Sequence, residues 1–135
     1  MAKGLSKYAL VLAVSSLLAM TLVNAQPRSL NTPTPEKLET RCGWFSNPTP
    51  GNAWLFDRDG EWTIGIQMGY QAEGDWPDFS PKQWVETNVH YGYGCACLKV
   101  RVDRAAKRVI KIEGARARPL SVCRRDRALR KWDFK

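Results

Sequence analysis

Two stretches of the chain alternate apolar and polar side chains with a period of two, the signature of a strand with one buried face. In EWTIGIQM, residues 61–68, the apolar positions are Trp62, Ile64, Ile66 and Met68. In CACLKVRV, residues 95–102, Ala96, Leu98, Val100 and Val102 share one face, and Cys95, Cys97, Lys99 and Arg101 share the other. A short apolar run from Ala53 to Phe56 precedes the first stretch across Asp57 to Gly60, which predicts two strands joined by a tight turn. The second stretch is followed by DRAAKR and then RVIKIEGARA, so Cys95 to Ala117 reads as a β-hairpin. Asn47-Pro48 and Pro50-Gly51 read as turns, and Gly65 and Gly69 as a bend or a close backbone approach.

Between these regions the periodicity fails. Residues 69–94, about 26 in number, hold four glycines and two prolines and predict an irregular stretch with a short helix over Ser80 to Val85. Ser80 suits the cap of that helix and Pro81 its first position. Such a long loop in a compact domain is usually functional, which makes it the first candidate for a binding surface. Toward the end, RPLSVC reads as a last short strand or turn. RRDRALRKW reads as one or two helical turns anchored only by Leu129 and Trp132, hence frayed or weakly docked. The pattern predicts an all-β or mostly β domain: a small antiparallel barrel or sandwich of about five strands with a short C-terminal helix.

The first residues change the picture of where this domain folds. Lys3 and Lys7 precede the apolar run YALVLAVSSLLAMTLV, and Ala25 follows, which is the layout of a secretory signal peptide over residues 1–25. The run is about sixteen residues, at or below the roughly 17–25 that span a bilayer. No basic stop-transfer cluster follows, so no transmembrane segment is expected in the mature form, and no nearby cysteine offers a lipid attachment point. The proline-rich segment 26–40 reads as a flexible leader and 41–135 as the domain. In an exported chain, Cys42, Cys95, Cys97 and Cys123 predict disulfides. Cys95 and Cys97, two apart on a strand, place their α-carbons roughly 6–7 Å apart, at the edge of disulfide geometry. Two pairings stay open: Cys42 with Cys95 and Cys97 with Cys123, or Cys42 with Cys97 and Cys95 with Cys123. A single Cys-x-Cys fits neither the usual zinc knuckle nor a Cys-x-x-Cys redox motif, so no metal and no cofactor is expected.

Charge is uneven along the chain. Residues 26–97 carry five Lys/Arg against nine Asp/Glu, whereas residues 98–135 carry fourteen against four. The basic end, with Arg124, Arg125, Arg127 and Arg130, suits an anionic surface; no nucleic-acid motif accompanies it, and nucleic acid is not an expected partner. Trp54 and Trp62 alternate with polar neighbours and read as core, while Trp44, Trp76 and Trp84 fall in irregular segments. Trp76, Trp84, Tyr91 and Tyr93 are the candidate aromatic binding residues, because exposed rings on loops serve carbohydrate or protein recognition. Asp57 and Asp59 in DRDGE read as a solvated turn rather than a calcium loop. Glu73, Asp75 and Asp78 beside Trp76 and Phe79 are the acids a glycan-cleaving cleft would need. His90, the one histidine, stands in no nucleophile context, and no residue is assigned as catalytic.

The motifs RCGWFSNPTPGNAWLFDRDGEWTI, GYQAEG, YGYGCACLKV and PLSVCRRD together resemble a family of small exported proteobacterial proteins classed as a domain of unknown function. The resemblance covers Arg41 to about Leu129. It implies a Gram-negative, periplasmic or secreted setting and a single four-cysteine framework, and brings no activity. The expectation is a non-enzymatic binding or interaction module, its partner an envelope protein, a glycan or an anionic surface, with inhibition of a cell-wall hydrolase as one concrete form. The rivals are a glycan- or wall-active hydrolase using the acids of residues 69–94, and a structural envelope protein held to anionic surfaces by its basic end.

Overall fold

The computed structural model describes residues 37–135; the export segment expected at residues 1–25 and residues 26–36 of the expected leader lie outside the described residues. Six strands follow one another as β1 (Glu39–Thr49), β2 (Asn52–Phe56), β3 (Glu61–Gly65), β4 (Trp84–Asn88), β5 (Tyr91–Asp103) and β6 (Arg108–Arg118). A 3-10 turn at Pro81–Gln83 leads into β4, and the helix α1 (Leu120–Arg125) with a second 3-10 turn at Arg127–Leu129 follows β6. The sheet runs in the order β1-β2-β3-β6-β5-β4, and β5 also pairs with β1, so five strands close into a ring. Every pairing is antiparallel except β3 with β6, a parallel seam made at Thr63 and Arg108. The fold is therefore the mostly β, disulfide-stapled barrel that the alternation predicts. β4 lies outside the ring along the first residues of β5.

The period-two reading of β5 holds. Ala96, Leu98, Val100 and Val102 enter the barrel, where they meet Phe45, Leu55, Trp62, Ile64, Val109 and Ile112. Each large apolar side chain buried this way contributes roughly 1.5–3 kcal/mol relative to exposure. β1 carried no such alternation because both of its faces are covered. Phe45 faces the interior, and its neighbour Trp44 is buried on the outside against Tyr93, Cys95, Cys123 and Leu129. Asn47-Pro48, expected as a turn, lies within β1; the β1–β2 register slips between Ser46 and Thr49, and such a bulge admits a proline. The chain reverses at Pro50-Gly51 instead, with Gly51 at φ 70°.

β3 is shorter than the alternation predicts. It stops at Gly65, Ile66 and Met68 are exposed, and Met68 sits in the left-handed region at φ 59°. The Gly69 N–H donates to the Ile66 carbonyl at 2.9 Å, which closes a turn where more strand was expected. The expected close approach at Gly65 is present: a Cβ there would come within 2.8 Å of the Gly51 carbonyl oxygen. The irregular stretch is also shorter than expected, because β4 and the start of β5 take residues 84–94 of it. The helix there is the single turn Pro81–Gln83, with the Ser80 N–H and hydroxyl both donating to Gln83 Oε1, at 3.2 and 2.9 Å.

The turn Asp57 to Gly60 is not the solvated one expected. Asp57 is only 2 % exposed and accepts hydrogen bonds from the Asp59 and Gly60 backbone N–H groups (2.7 and 2.9 Å) and from the Trp62 indole (3.1 Å). Its other oxygen receives the Arg41 guanidinium at 2.5 Å. Arg41 lies 3.8 Å over the Trp62 ring and also pairs with Glu39 at 2.7 Å and Asp59 at 3.1 Å. Burial alone would lower the Arg41 pKa; the bonds to Asp57 and Glu39 outweigh it and hold the guanidinium above its ordinary value.

The C-terminal segment is firmly docked rather than frayed. RPLSVC supplies α1 instead of a strand, and Cys123 bonds Cys95 while Cys42 bonds Cys97, which selects one of the two pairings left open. Leu129 is buried, and Phe134 stacks on Trp44 at 5.4 Å between ring centroids and meets Tyr93 and Phe56. The Trp132 indole donates to the Asp57 carbonyl at 2.9 Å, and Lys131 Nζ to the Arg58 carbonyl at 2.7 Å. Counting helical anchors missed this strap because its binding partners, Trp44, Phe56 and Tyr93, lie far away in sequence.

Candidate functional site

The loop between β3 and β4 folds back against β1 and leaves a cleft of 620 Å³. Phe45 forms its floor, since the β1–β5 register sets Phe45 opposite Gly94, whose missing side chain makes room above it. Phe79 fills that room. An added Cβ on Gly94 would lie 2.4 Å from the Phe79 ring and 2.7 Å from the Gln83 carbonyl oxygen. Gly94→Ala is therefore expected to displace Phe79 and cost about 1–3 kcal/mol, typical of overpacking, as read from thermal unfolding.

Phe45 meets Trp76 edge-on at 5.6 Å and Phe79 at 5.8 Å, and Phe79 meets Trp84 at 4.9 Å. Pro77 and Pro81 stiffen the backbone that carries these rings. Trp84 is oriented by its indole N–H, which donates to the His90 carbonyl at 3.0 Å. Three polar groups edge the rings: Asn47, Glu86 and His90. Asn47 spends its amide N–H groups on the Thr49 and Asn52 carbonyls (2.7 and 2.6 Å), which leaves its side-chain oxygen without a partner among the described residues. His90 lies against the Tyr91 ring at 4.5 Å. A ligand with an apolar face and hydrogen-bonding edges fits such a lining.

Of the sequence candidates, Trp76 and Trp84 come together in this cleft, with Tyr91 beside it. Tyr93 does not: it faces the opposite side, buried under Phe134, and its hydroxyl donates to the Lys135 carbonyl. Arg124, Arg125, Arg127 and Arg130 are exposed on the C-terminal strap, away from the cleft lining, and Arg124 donates to the Lys135 carbonyl at 3.2 Å. Trp62 is core as expected, but Trp54 is half-buried outside the barrel, and Trp44 lies in β1. Glu73, Asp75 and Asp78 are exposed and none lines the cleft, where Glu86 is the single carboxylate. Sequence reasoning missed Phe45, Asn47 and Glu86, because only the pairing of β1 and β4 with β5 brings them to the loop. Among the described residues no group of three His, Cys, Asp or Glu is placed to hold a metal ion, and no helix is long and apolar enough to cross a membrane.

Fold and site together define a small mostly β barrel, stapled by two disulfides and opened on one side by an aromatic cleft. Residues 36–130 match the family described as a protein of unknown function, DUF4087, and the chain belongs to that family. No curated protein and no solved structure matches it. The two disulfides are compatible with an extracellular or periplasmic protein.

Proposed function

We propose that the mature protein is an exported, non-enzymatic binding module that receives a cell-wall glycan in the aromatic cleft. The observation that carries this reading is the assembly of Trp76, Phe79 and Trp84 over Phe45, edged by an amide oxygen, a carboxylate and an imidazole. A sugar ring offers an apolar C–H face to stack on such rings and hydroxyls to satisfy such an edge. Export rests on the signal-like residues 1–25, and the disulfides agree with it. Binding is preferred to hydrolysis because glycan cleavage ordinarily needs two carboxylates across the scissile bond, and the cleft lining supplies one.

Titration of the oxidised protein with soluble wall-glycan fragments, followed by tryptophan fluorescence, is expected to saturate. Trp84→Ala and Trp76→Ala should each weaken binding about 10- to 100-fold, as anchor aromatics do. The fragments should be recovered uncut. Cleaved fragments whose yield collapses in Glu73→Gln, Asp75→Asn or Asp78→Asn would establish the hydrolase instead. Inhibition of a wall hydrolase without glycan affinity would make the enzyme, rather than its substrate, the ligand.

A further inference from the structure

We propose that the outer wall formed by β1, β5 and β6 carries a second, anionic-ligand site that takes a phosphate group. It is independent of the cleft. A depression of 440 Å³ lies there between Thr40 on β1, Cys97 and Lys99 on β5, and the β6 segment from Gly114 to Arg118. The register explains why these side chains share a face: Thr40 pairs with Lys99, Cys97 with Arg116, Lys99 with Gly114 and Cys95 with Arg118. Lys99 and the cysteines alternate with the core residues of β5, so the whole set points outward.

Three cations, Lys99, Arg116 and Arg118, line the depression, and no carboxylate does. Among the described residues none of the three makes an ion pair or a side-chain hydrogen bond. The nearby carboxylate of Glu113 is already taken, by Arg101 at 3.1 Å and Lys111 at 3.4 Å. The hydrogen bond from Arg101 is the main cause that holds the Glu113 carboxyl below the ordinary carboxylate range, so it stays ionised and engaged there. Lys99 and Arg116 are exposed and Arg118 is half-buried, so solvent screens their mutual repulsion, while an anion in the hollow is attracted by all three.

Gly114 is the second observation. Its φ does not lie in the left-handed region, and a Cβ added to it would have Lys99 Cβ at 3.9 Å as its nearest neighbour. Packing does not require glycine there, although the β5–β6 register slips beside it, between Lys99 and Val100, and glycine suits such a bulge. What its missing side chain leaves is the floor of the hollow. Two guanidinium forks, an ammonium and the Thr40 hydroxyl then surround a space where a phosphate can accept charge-assisted hydrogen bonds. Free phosphate-type anions and lipid-borne phosphates offer the same chemistry.

The test uses the oxidised, full-length mature protein with inorganic phosphate in one arm and vesicles containing phosphatidylglycerol in the other. Backbone amide shifts around residues 97–99 and 114–118 are expected to saturate with phosphate. Gly114→Val fills the hollow, and because a Cβ there meets nothing closer than 3.9 Å it should still fold, yet bind about tenfold more weakly. Lys99→Ala with Arg116→Ala should weaken binding by about tenfold or more, the loss expected for charged hydrogen bonds. Trp84→Ala should leave it unchanged, which separates this site from the cleft. Phosphate binding sensitive to Gly114→Val assigns a free anion. Vesicle binding with that sensitivity, and no response to phosphate alone, assigns a lipid headgroup; both uphold the site. The proposal is overturned by binding that ignores Gly114→Val, by shifts spread equally over Arg124 to Arg130, or by no response in either arm.

Discussion

Asp57→Ala is expected to lower the unfolding free energy by about 3–5 kcal/mol, the cost of removing one partner of a buried ion pair. Asp57 is the common acceptor for Arg41, the Trp62 indole and two backbone N–H groups of its own turn. Removing it takes away the most closely held counter-charge of the Arg41 guanidinium, which is only 5 % exposed, and leaves the Trp62 N–H without its acceptor inside the protein. Glu39 and Asp59 still reach Arg41, which keeps the loss within that range rather than above it. The figure is the cost of breaking the pair; it does not say that the pair outperforms two apolar residues of the same shape. Urea unfolding of wild type, Asp57→Ala and Asp57→Asn measures it. Asp57→Asn should fall between the two, because its amide oxygen can still accept from the turn. A loss under 1 kcal/mol for Asp57→Ala would show that Arg41 finds its charge balance elsewhere.

Removing the Cys95–Cys123 bond as the double alanine variant should cost about 3–4 kcal/mol, the loop-closure value for a span of this length. It should also do something that removing Cys42–Cys97 does not. Cys123 anchors the strap that covers Trp44, Tyr93 and Phe56, so its release should raise amide exchange over residues 120–135 and uncover those rings, seen as a loss of near-UV signal. The Cys42–Cys97 bond joins two strands that are also hydrogen-bonded to each other, and its loss should leave the strap in place. If both variants keep full near-UV signal, the ring contacts of Phe134 and Trp132 hold the strap unaided.

Elements with one wet face were legible from sequence. β5 and its hairpin with β6 announced themselves because Lys99 and Arg101 face solvent while Leu98 and Val100 do not. β1 was hidden because Trp44 and Phe45 are buried on opposite faces, which erases the alternation. β4 was hidden inside a stretch whose glycines looked like loop punctuation. Gly94 is there to let Phe79 pass over the strand, and a Cβ on Gly92 would strike the Val85 carbonyl oxygen at 1.8 Å. Half of the cleft was legible for the same reason. Trp76 and Trp84 stand out in composition, whereas Phe45 and Asn47 become cleft residues only through pairing across more than forty positions of chain. Asp57 looked like turn chemistry, and it is; that the turn is roofed by Trp132 was not visible from its neighbours.

The spacing of the two cysteines on β5 has a consequence for how the barrel reaches its native pairing. In the native register Cys42 stands opposite Cys97 and Trp44 opposite Cys95. A slip of β1 by one residue would exchange its two buried faces, sending Phe45 out of the barrel and Trp44 into it, and is rejected by packing. A slip by two residues keeps every side chain on its proper face and sets Cys42 opposite Cys95, so hydrophobic patterning discriminates against it far less. Oxidation of the wrong neighbour would then capture the shifted ladder covalently. The pair Cys95 and Cys97 thus records which of two nearly isofacial ladders the chain has adopted, and the native bonds act as a molecular proofreading mark for strand alignment.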